Sequence, residues 1–276
     1  MNDGITIRTL KTVQELHLIQ ELESEVWEMN PIPIHQTITA VKNGGIMLGA
    51  FYEGELVGFS YGFPGFDHGK SFLCSHMLGI HRDHRDKGIG ALLKEEQKQV
   101  AIQMGYDLIR WTFDPLQSRN AYLNLSKLNG ICSDYVENCY GEMEDGINQG
   151  LPSDRFNIEW WIASEHVNET TKDEINPISP FEWENGRDGF PRLKETERVL
   201  QSINLKDEAI LVPIPLQFQE MKEASSELAL KWRIETRKIF QHLFQKGYAA
   251  ISLKKDFDNG IGYMHLLRRD LLKLEK

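Results

Sequence analysis

Cysteine is scarce in this chain of 276 residues, and what there is forms no framework. Cys74, Cys132 and Cys139 are odd in number and show no Cys-x-x-Cys spacing, so neither a disulfide scaffold nor a zinc knuckle is expected. Three buried, reduced thiols in a cytoplasmic protein are the expectation. Long apolar runs are missing too. None approaches the roughly 18 residues of a membrane-spanning helix, and Met1-Asn2-Asp3-Gly4 lacks the basic and apolar regions of a secretory leader. Basic charge is in deficit: 31 Lys and Arg stand against 41 Asp and Glu, a formal net charge of −10. Binding phosphate backbones needs a basic surface, so no nucleic-acid partner is expected. A cationic amine would be attracted instead. Internal repeats and low-complexity tracts are absent. What remains is 41% hydrophobic and 10% aromatic, enough for a real core, in a length that holds roughly one and a half to two domains.

The most informative stretch reads Ile80-His81-Arg82-Asp83-His84-Arg85-Asp86-Lys87-Gly88-Ile89-Gly90. It follows a strand-like run, Phe72 to Ile80. It opens a helix-like run, Ile89 to Met104, whose Ile89, Leu92, Leu93, Val100 and Met104 largely share one face. Two glycines at a helix start let successive N–H groups turn outward, and the first helical turn has free donors and the positive end of the macrodipole. With Arg85 and Lys87 at the rim, the N–H groups from Asp86 to Ala91 form an anion site fit for a pyrophosphate. A dinucleotide fingerprint would need glycine where Leu93 stands, and an acidic residue near Arg110. The Gly-Lys-Ser/Thr ending of a P-loop is absent as well.

What is left is the form Arg/Gln-x-x-Gly-x-Gly/Ala, here Arg85-Asp86-Lys87-Gly88-Ile89-Gly90. At this point the chain resembles the GCN5-related N-acetyltransferase (GNAT) superfamily, in a bacterial branch with a C-terminal extension. That family's loop holds the pyrophosphate of acetyl-CoA. Its usual approach, Val-x-Pro-x-Tyr/His-Arg-x-x-Gly-x-Gly, is met by Ile80, His84 and Arg85, with Arg82 in place of the proline.

The surrounding pattern agrees. Thr12-Val13-Gln14-Glu15 is a capping box opening a helix to about Trp27, and a second helix is expected around Ile34 to Lys42. Gly45–Tyr52 and Leu56–Phe63 read as strands joined by a turn at Glu53-Gly54-Glu55, and Pro64 to Lys70 reads as a loop. Asp107–Phe113 is strand-like, Gln117–Leu128 helical and closed by Asn129-Gly130. Tyr135–Tyr140 and Phe156–Ala163 are further strands. The order βααβββαβαββ is that of the resembling family and covers roughly residues 5–165. Ser164 to about Glu195, with Asn176-Pro177, Ser179-Pro180 and Glu184-Asn185-Gly186, reads as a linker. Beyond it come a strand, Ala209–Ile214, one long helix, Gln217–Lys246, and strands Tyr248–Leu253 and Tyr263–Leu267. The expected fold is α/β (α+β): a GNAT domain over 1–165 with a mixed central sheet flanked by helices, a linker over 166–195, and a C-terminal α/β subdomain over 196–276 packed on the first domain.

The resemblance implies an acetyl-CoA-dependent N-acyltransferase in which an amine attacks the thioester directly, with acetyl-CoA as co-substrate and no metal. It places the pantetheine arm on the backbone of Met77, Leu78, Gly79 and Ile80, and the pyrophosphate on Arg85, Asp86, Lys87, Gly88, Ile89, Gly90 and Ala91. Gly79 also allows close approach of a ligand, or marks a bulge. The family's thiolate acid is a tyrosine in Asn…Ala…Tyr-x-Lys-Leu-Gly, and here that position falls on Leu125. Asn120 keeps the CoA-side asparagine, Tyr122 and Tyr140 are candidate acids with Tyr135 near them, and His76 is a candidate base. Leu125 makes a catalytically silent acyl-CoA-binding sensor or partner module the alternative reading. His76, His81 and His84 lack a carboxylate set for a metal apart from Asp83. Glu23, Glu25 and Glu28 read as a solvated helix face. Arg233 and Arg237, one turn apart, read as partners of acidic residues in the first domain, and Trp232 as core. The expected partner is a small-molecule amine, with no nucleic acid and no membrane, for a monomer or homodimer.

Overall fold

In the computed structural model, residues 4–141, 150–168, 175–203 and 207–274 are described. They divide into two compact units, Met1–Trp111 and Thr112–Lys276. The division lies elsewhere than the sequence boundaries at 165 and 196, both of which fall inside the second unit. No helix among the described residues is long and apolar enough to cross a membrane.

The first unit carries β1 (Ile5–Thr9), α1 (Val13–Trp27), α2 (Ile34–Lys42), β2 (Ile46–Tyr52), β3 (Glu55–Asp67), β4 (Lys70–Ile80), α3 (Ile89–Gln103) and the start of β5 (Ile109–Phe113). The strands lie in sequence order, antiparallel except for the parallel β4–β5 pair. The capping box of α1 is complete, with Thr12 accepting from Glu15 and Glu15 reaching back to the Thr12 N–H. Residues on alternate sides of the strands serve different helices. Met47, Phe59 and Tyr61 pack with Leu16, Ile19 and Leu22 of α1, while Ser60 and Ser75 meet α3 through Gln97 and Lys94.

Two expectations change here. Pro64 to Asp67 is no loop: it continues β3 and pairs with Lys70–Leu73, and the reversal is made by His68 and Gly69, both at positive φ. Two successive positive-φ residues suit a tight hairpin, whose twist matches that of the strands. The buried face of α3 is not the purely apolar one expected. Ile89, Leu93, Lys94, Gln97 and Ala101 are buried, whereas Met104 is exposed.

The second unit contains α4 (Ser118–Ala121), which runs on as a π-helical turn over Tyr122–Lys127, then β6 (Ile131–Val136), β7 (Arg155–Trp160), α5 (Glu165–Asn168), β8 (Trp183–Asn185), β9 (Pro191–Leu193), α6 (Thr196–Ser202), β10 (Ala209–Pro215), α7 (Phe218–Ala224), α8 (Ser226–Gln245), β11 (Tyr248–Asp256) and β12 (Ile261–Arg268). Its antiparallel strands run β7-β6-β11-β12-β10. The prolines of β10 sit on an edge strand, where a missing N–H costs no ladder bond. β6 starts four residues earlier than the expected Tyr135–Tyr140, so Tyr140 lies beyond it in a turn.

The expected single helix over 217–246 is two, split by Ser225, whose hydroxyl accepts from Leu228 N–H and caps α8. The expected linker is partly ordered: β8 and β9 form a hairpin, Phe181 is buried, and the Trp232 indole donates to Pro191 O at 2.8 Å. Its residues 169–174 lie outside the described ones. Phe240 of α8 meets Phe156 of β7 edge-on at 4.8 Å, so residues beyond 196 complete the core around β6 and β7. Of the thiols only Cys132 is fully buried; Cys74 and Cys139 are half-buried, and none is in a disulfide.

Candidate functional site

β4 is paired along one edge and open along most of the other. Its ladder with β3 runs from Lys70 to Ile80, but its ladder with β5 covers only Leu73↔Ile109 and Cys74↔Arg110. The β3 register steps from Tyr61↔Met77 to Gly62↔Ser75, leaving His76 as the extra residue of a β-bulge. Such a bulge re-aims side chains and ends regular pairing. His81 N–H donates to Val57 O at 2.9 Å. Strand alternation then turns the backbone groups of Gly79 toward β3 and those of Leu78 and Ile80 toward the open edge. The Ile80 carbonyl accepts from Arg85 Nε at 3.3 Å. Leu78 is left with its peptide groups on that edge. Gly79 is required for another reason: a Cβ there would lie 2.6 Å from Phe59 and 3.0 Å from Trp27. The bulge is therefore not at Gly79 but at His76.

The chain leaves β4 through a short 3₁₀ turn, Arg82–His84, steadied by the Asp83 N–H donating to His81 Nδ1 at 3.3 Å. The His84 ring packs on Tyr52, 5.4 Å between centroids. Asp86 and Gly88 then take φ of 65° and 77°, the left-handed region open at little cost only to glycine and, less readily, to Asp or Asn. Gly88 is the N-cap of α3 and has no side chain to cap it. The amides of Ala91 and Leu92 already donate to Gly88 O, which leaves those of Ile89 and Gly90 at the helix mouth, at the positive end of the macrodipole. Arg85 and Lys87 are exposed beside them. The position of a Gly90 Cβ lies 3.6 Å from Leu78 Cδ2, so the helix mouth adjoins the open edge of β4.

On the α1 side, His76 has ring neighbours Tyr61 at 6.3 Å and Phe63 at 5.6 Å. It keeps a solvent-accessible edge while the protein around it pushes its imidazole pKa below the ordinary value, favouring the neutral form. Glu23 is buried rather than solvated. Its carboxylate accepts the Ile32 N–H at 3.0 Å and so ties down the α1–α2 connection, and burial pushes its pKa up despite that bond. Glu25 and Glu28 are exposed, as expected. On the α3 side, Lys94 is 3% exposed. It donates to Ser75 Oγ at 2.7 Å and Gln97 Oε1 at 3.3 Å, and its ammonium sits 3.8 Å from the centre of the Trp111 ring. Burial lowers its pKa to about 7. The sequence reading overlooked Lys94. The spacing Gly90, Lys94, Gln97, Ala101 is that of one helical stripe, and it would have placed this lysine inward.

The remaining candidates belong to the second unit. Asn120 is exposed on α4. Tyr122 is half-buried in the π turn, its ring under Lys255 at 4.7 Å and Lys127 at 5.6 Å. Tyr140 is 51% exposed, hydrogen-bonded to Thr112 Oγ1 at 2.7 Å and beneath Arg155. No bond or ring contact joins the two tyrosines among the described residues. Leu125 is wholly buried. Tyr135 donates to Asp154 Oδ2 at 2.6 Å, and burial pushes its phenol pKa well up, so its proton is committed to structure. Arg233 grips Asp114 through two bonds of 2.7 and 2.6 Å, and Arg237 grips Asp154 at 2.8 and 3.0 Å and also pairs with Glu137. Both arginines hold acidic residues from before residue 165, and Trp232 is core.

The model of the acetyltransferase (GNAT) family matches residues 11–125. A comparison with curated proteins found no match. Among solved structures, an acetyltransferase of the GNAT family from Streptococcus pneumoniae is 15% identical over 56% of this chain and 98% of its own, with a TM-score of 0.46. A GNAT family acetyltransferase from Elizabethkingia anophelis, with acetyl-CoA bound, is 18% identical over 58% of this chain and 99% of its own, TM-score 0.42. An aminoglycoside acetyltransferase from an uncultured soil metagenomic sample, in complex with sisomicin, is 18% identical over 41% of this chain and 80% of its own, TM-score 0.38.

Proposed function

We propose that this chain, whose residues 11–125 match the model of the acetyltransferase (GNAT) family, is a member of that family and transfers an acetyl group from acetyl-CoA to a small-molecule amine by direct attack on the thioester. One observation carries the reading: an uncapped, glycine-built helix mouth adjoins a strand edge that is open beyond a bulge. The residues fit CoA at both ends. The amides of Ile89 and Gly90, with Arg85 and Lys87, suit a pyrophosphate, with Asp86, Gly88 and Ala91 shaping that turn. The peptide groups of Leu78 on the open edge suit the amides of a pantetheine arm, as an added strand would, with Gly79 and Ile80 holding that edge in register.

A thioester held there presents its carbonyl carbon at the level of the bulge. The acceptor nitrogen attacks it, the tetrahedral intermediate expels the thiolate, and the nitrogen sheds one proton. Holding both reactants supplies much of the acceleration. His76, neutral and partly exposed at the bulge, is placed to take the proton. Asn120, Tyr122 and Tyr140 belong to the second unit and are assigned no part in this step.

The wholly buried Leu125, standing where the family has its tyrosine, favours a second reading, a silent acyl-CoA-binding module. Free thiol measured from acetyl-CoA with a panel of polyamines, aminoglycosides and amino acids separates the two. Release that depends on one amine, with the acetylated product found by mass, is the expected result. Binding of acetyl-CoA with no release on any amine selects the silent module, and no binding at all contradicts both.

A further inference from the structure

Lys94 is a buried basic group without an acidic partner. Among the described residues no carboxylate reaches it. Its Nζ is held by a hydroxyl, an amide oxygen and an aromatic face. Gln97 is in turn fixed by donating from Nε2 to Ser60 Oγ at 2.9 Å. Desolvating an ammonium this way costs several kcal/mol in general, and an apolar side chain of similar length would fill the space without that cost. Ser75 accepts from Lys94, and its own O–H has no acceptor among the described residues. It stands between Cys74, the last residue paired with β5, and the bulge at His76.

The open edge sets the distance at which a thioester would lie. The helix mouth meets β4 at Leu78. Between pyrophosphate and sulfur, CoA has about thirteen bonds, or about four residues of extended chain. Laid along β4 from Leu78, that length reaches the neighbouring pair Cys74 and Ser75, and of the two it is Ser75 that carries the hydrogen bond to Lys94.

Resting on the proposed function, we infer that Ser75 is the group that protonates the departing CoA thiolate, with Lys94 behind it as a positioning residue and proton reserve. In the step, the C–S bond breaks and the sulfur keeps the electron pair. The sulfur takes the Ser75 hydroxyl proton, and Ser75 Oγ takes one from the Lys94 ammonium. Lys94 is left as a neutral amine, still bound to Gln97; His76 passes the acceptor's proton to solvent, and Lys94 is reprotonated through the Ser75 hydroxyl once CoA has left. The site thereby supplies the acid that Leu125 cannot. Cys74 is the ionisable side chain whose charge acts on Lys94, and it favours the ammonium form.

The test is to titrate the thiol of bound CoA in wild type, Lys94→Met and Ser75→Ala. The thiolate absorption band is followed by difference against the same protein holding desulfo-CoA, which removes the signal of Cys74. CoA affinity is measured in parallel by calorimetry. The inference expects the thiolate to appear about one pH unit lower in wild type than in either variant, about tenfold in ionisation, with CoA affinity unchanged. A purely structural role would not move this titration. Should Lys94→Met fail to fold, Ser75→Ala decides alone. Equal titration midpoints with CoA bound overturn the relay and leave the acyltransferase reading standing, whereas failure of wild type to bind CoA overturns both.

Discussion

Arg233 and Lys94 are both buried basic groups, and what stands against each decides its effect. Arg233 has a full bidentate partner in Asp114, and although burial opposes its charge the carboxylate raises its pKa overall. Removing one member of such a pair strands the other, typically at about 3–5 kcal/mol. Asp114→Ala should therefore lower stability in denaturant by about that much, and Asp114→Leu with Arg233→Met should recover most of it. Additive losses in the double variant would contradict this view of the pair. Lys94 gives the opposite signature. Its pKa falls from the ordinary 10.5 to about 7 on folding, because burial disfavours the charge. The unfolded chain then holds more protons than the native one between those values, so stability should rise with pH across that window and be lost as pH falls toward 7. In Lys94→Met the pH dependence of the denaturation midpoint over that window should flatten. The pairing of both arginines was legible from their i, i+4 spacing and the surplus of carboxylates. Lys94 and Glu23 were not, because residue type argues for solvent, and only their place in a helical stripe shows the burial.

Elements were legible where a local signal acts alone. The Thr12 capping box, the Gly88–Gly90 helix start and the Gly247 stop all lie where sequence places them, since each is a backbone requirement satisfied within a few residues. Elements that depend on a partner strand or a competing cap were not. The extension of β3 through Pro64 is supplied by its pairing with β4, and the break at Ser225 by a hydroxyl that recruits the Leu228 amide within an otherwise continuous periodicity. Ser225→Ala should cost about 1 kcal/mol, read as a lower denaturation midpoint, and no loss would mean that α8 starts without its cap. At the mouth of α3, Gly88→Val forces a β-branched residue to φ 77°, at about 1–2 kcal/mol. It should abolish CoA binding in calorimetry while the protein remains folded. Unchanged affinity would remove the loop from the proposed site.

At the scale of the molecule, sequence drew a boundary near residue 165, and pairings within the second unit run across it. β6 pairs with β11 at Cys132↔Ala250, and Ser126 exchanges hydrogen bonds with the Leu253 backbone. A fragment of residues 1–165 would thus uncover an aromatic cluster around Phe156 and strip β6 of a neighbour. We expect it to be insoluble or unfolded by circular dichroism; a fragment with full thermal stability would contradict the shared core. The central claim concerns the first unit alone: CoA lies across the mouth of α3 and along the open edge of β4. Hydrogen exchange of the whole protein with and without CoA tests it most directly. The account predicts slowed exchange at the amides of Ile89, Gly90 and Leu78, and binding that protects only other segments, or no protection anywhere, would contradict it.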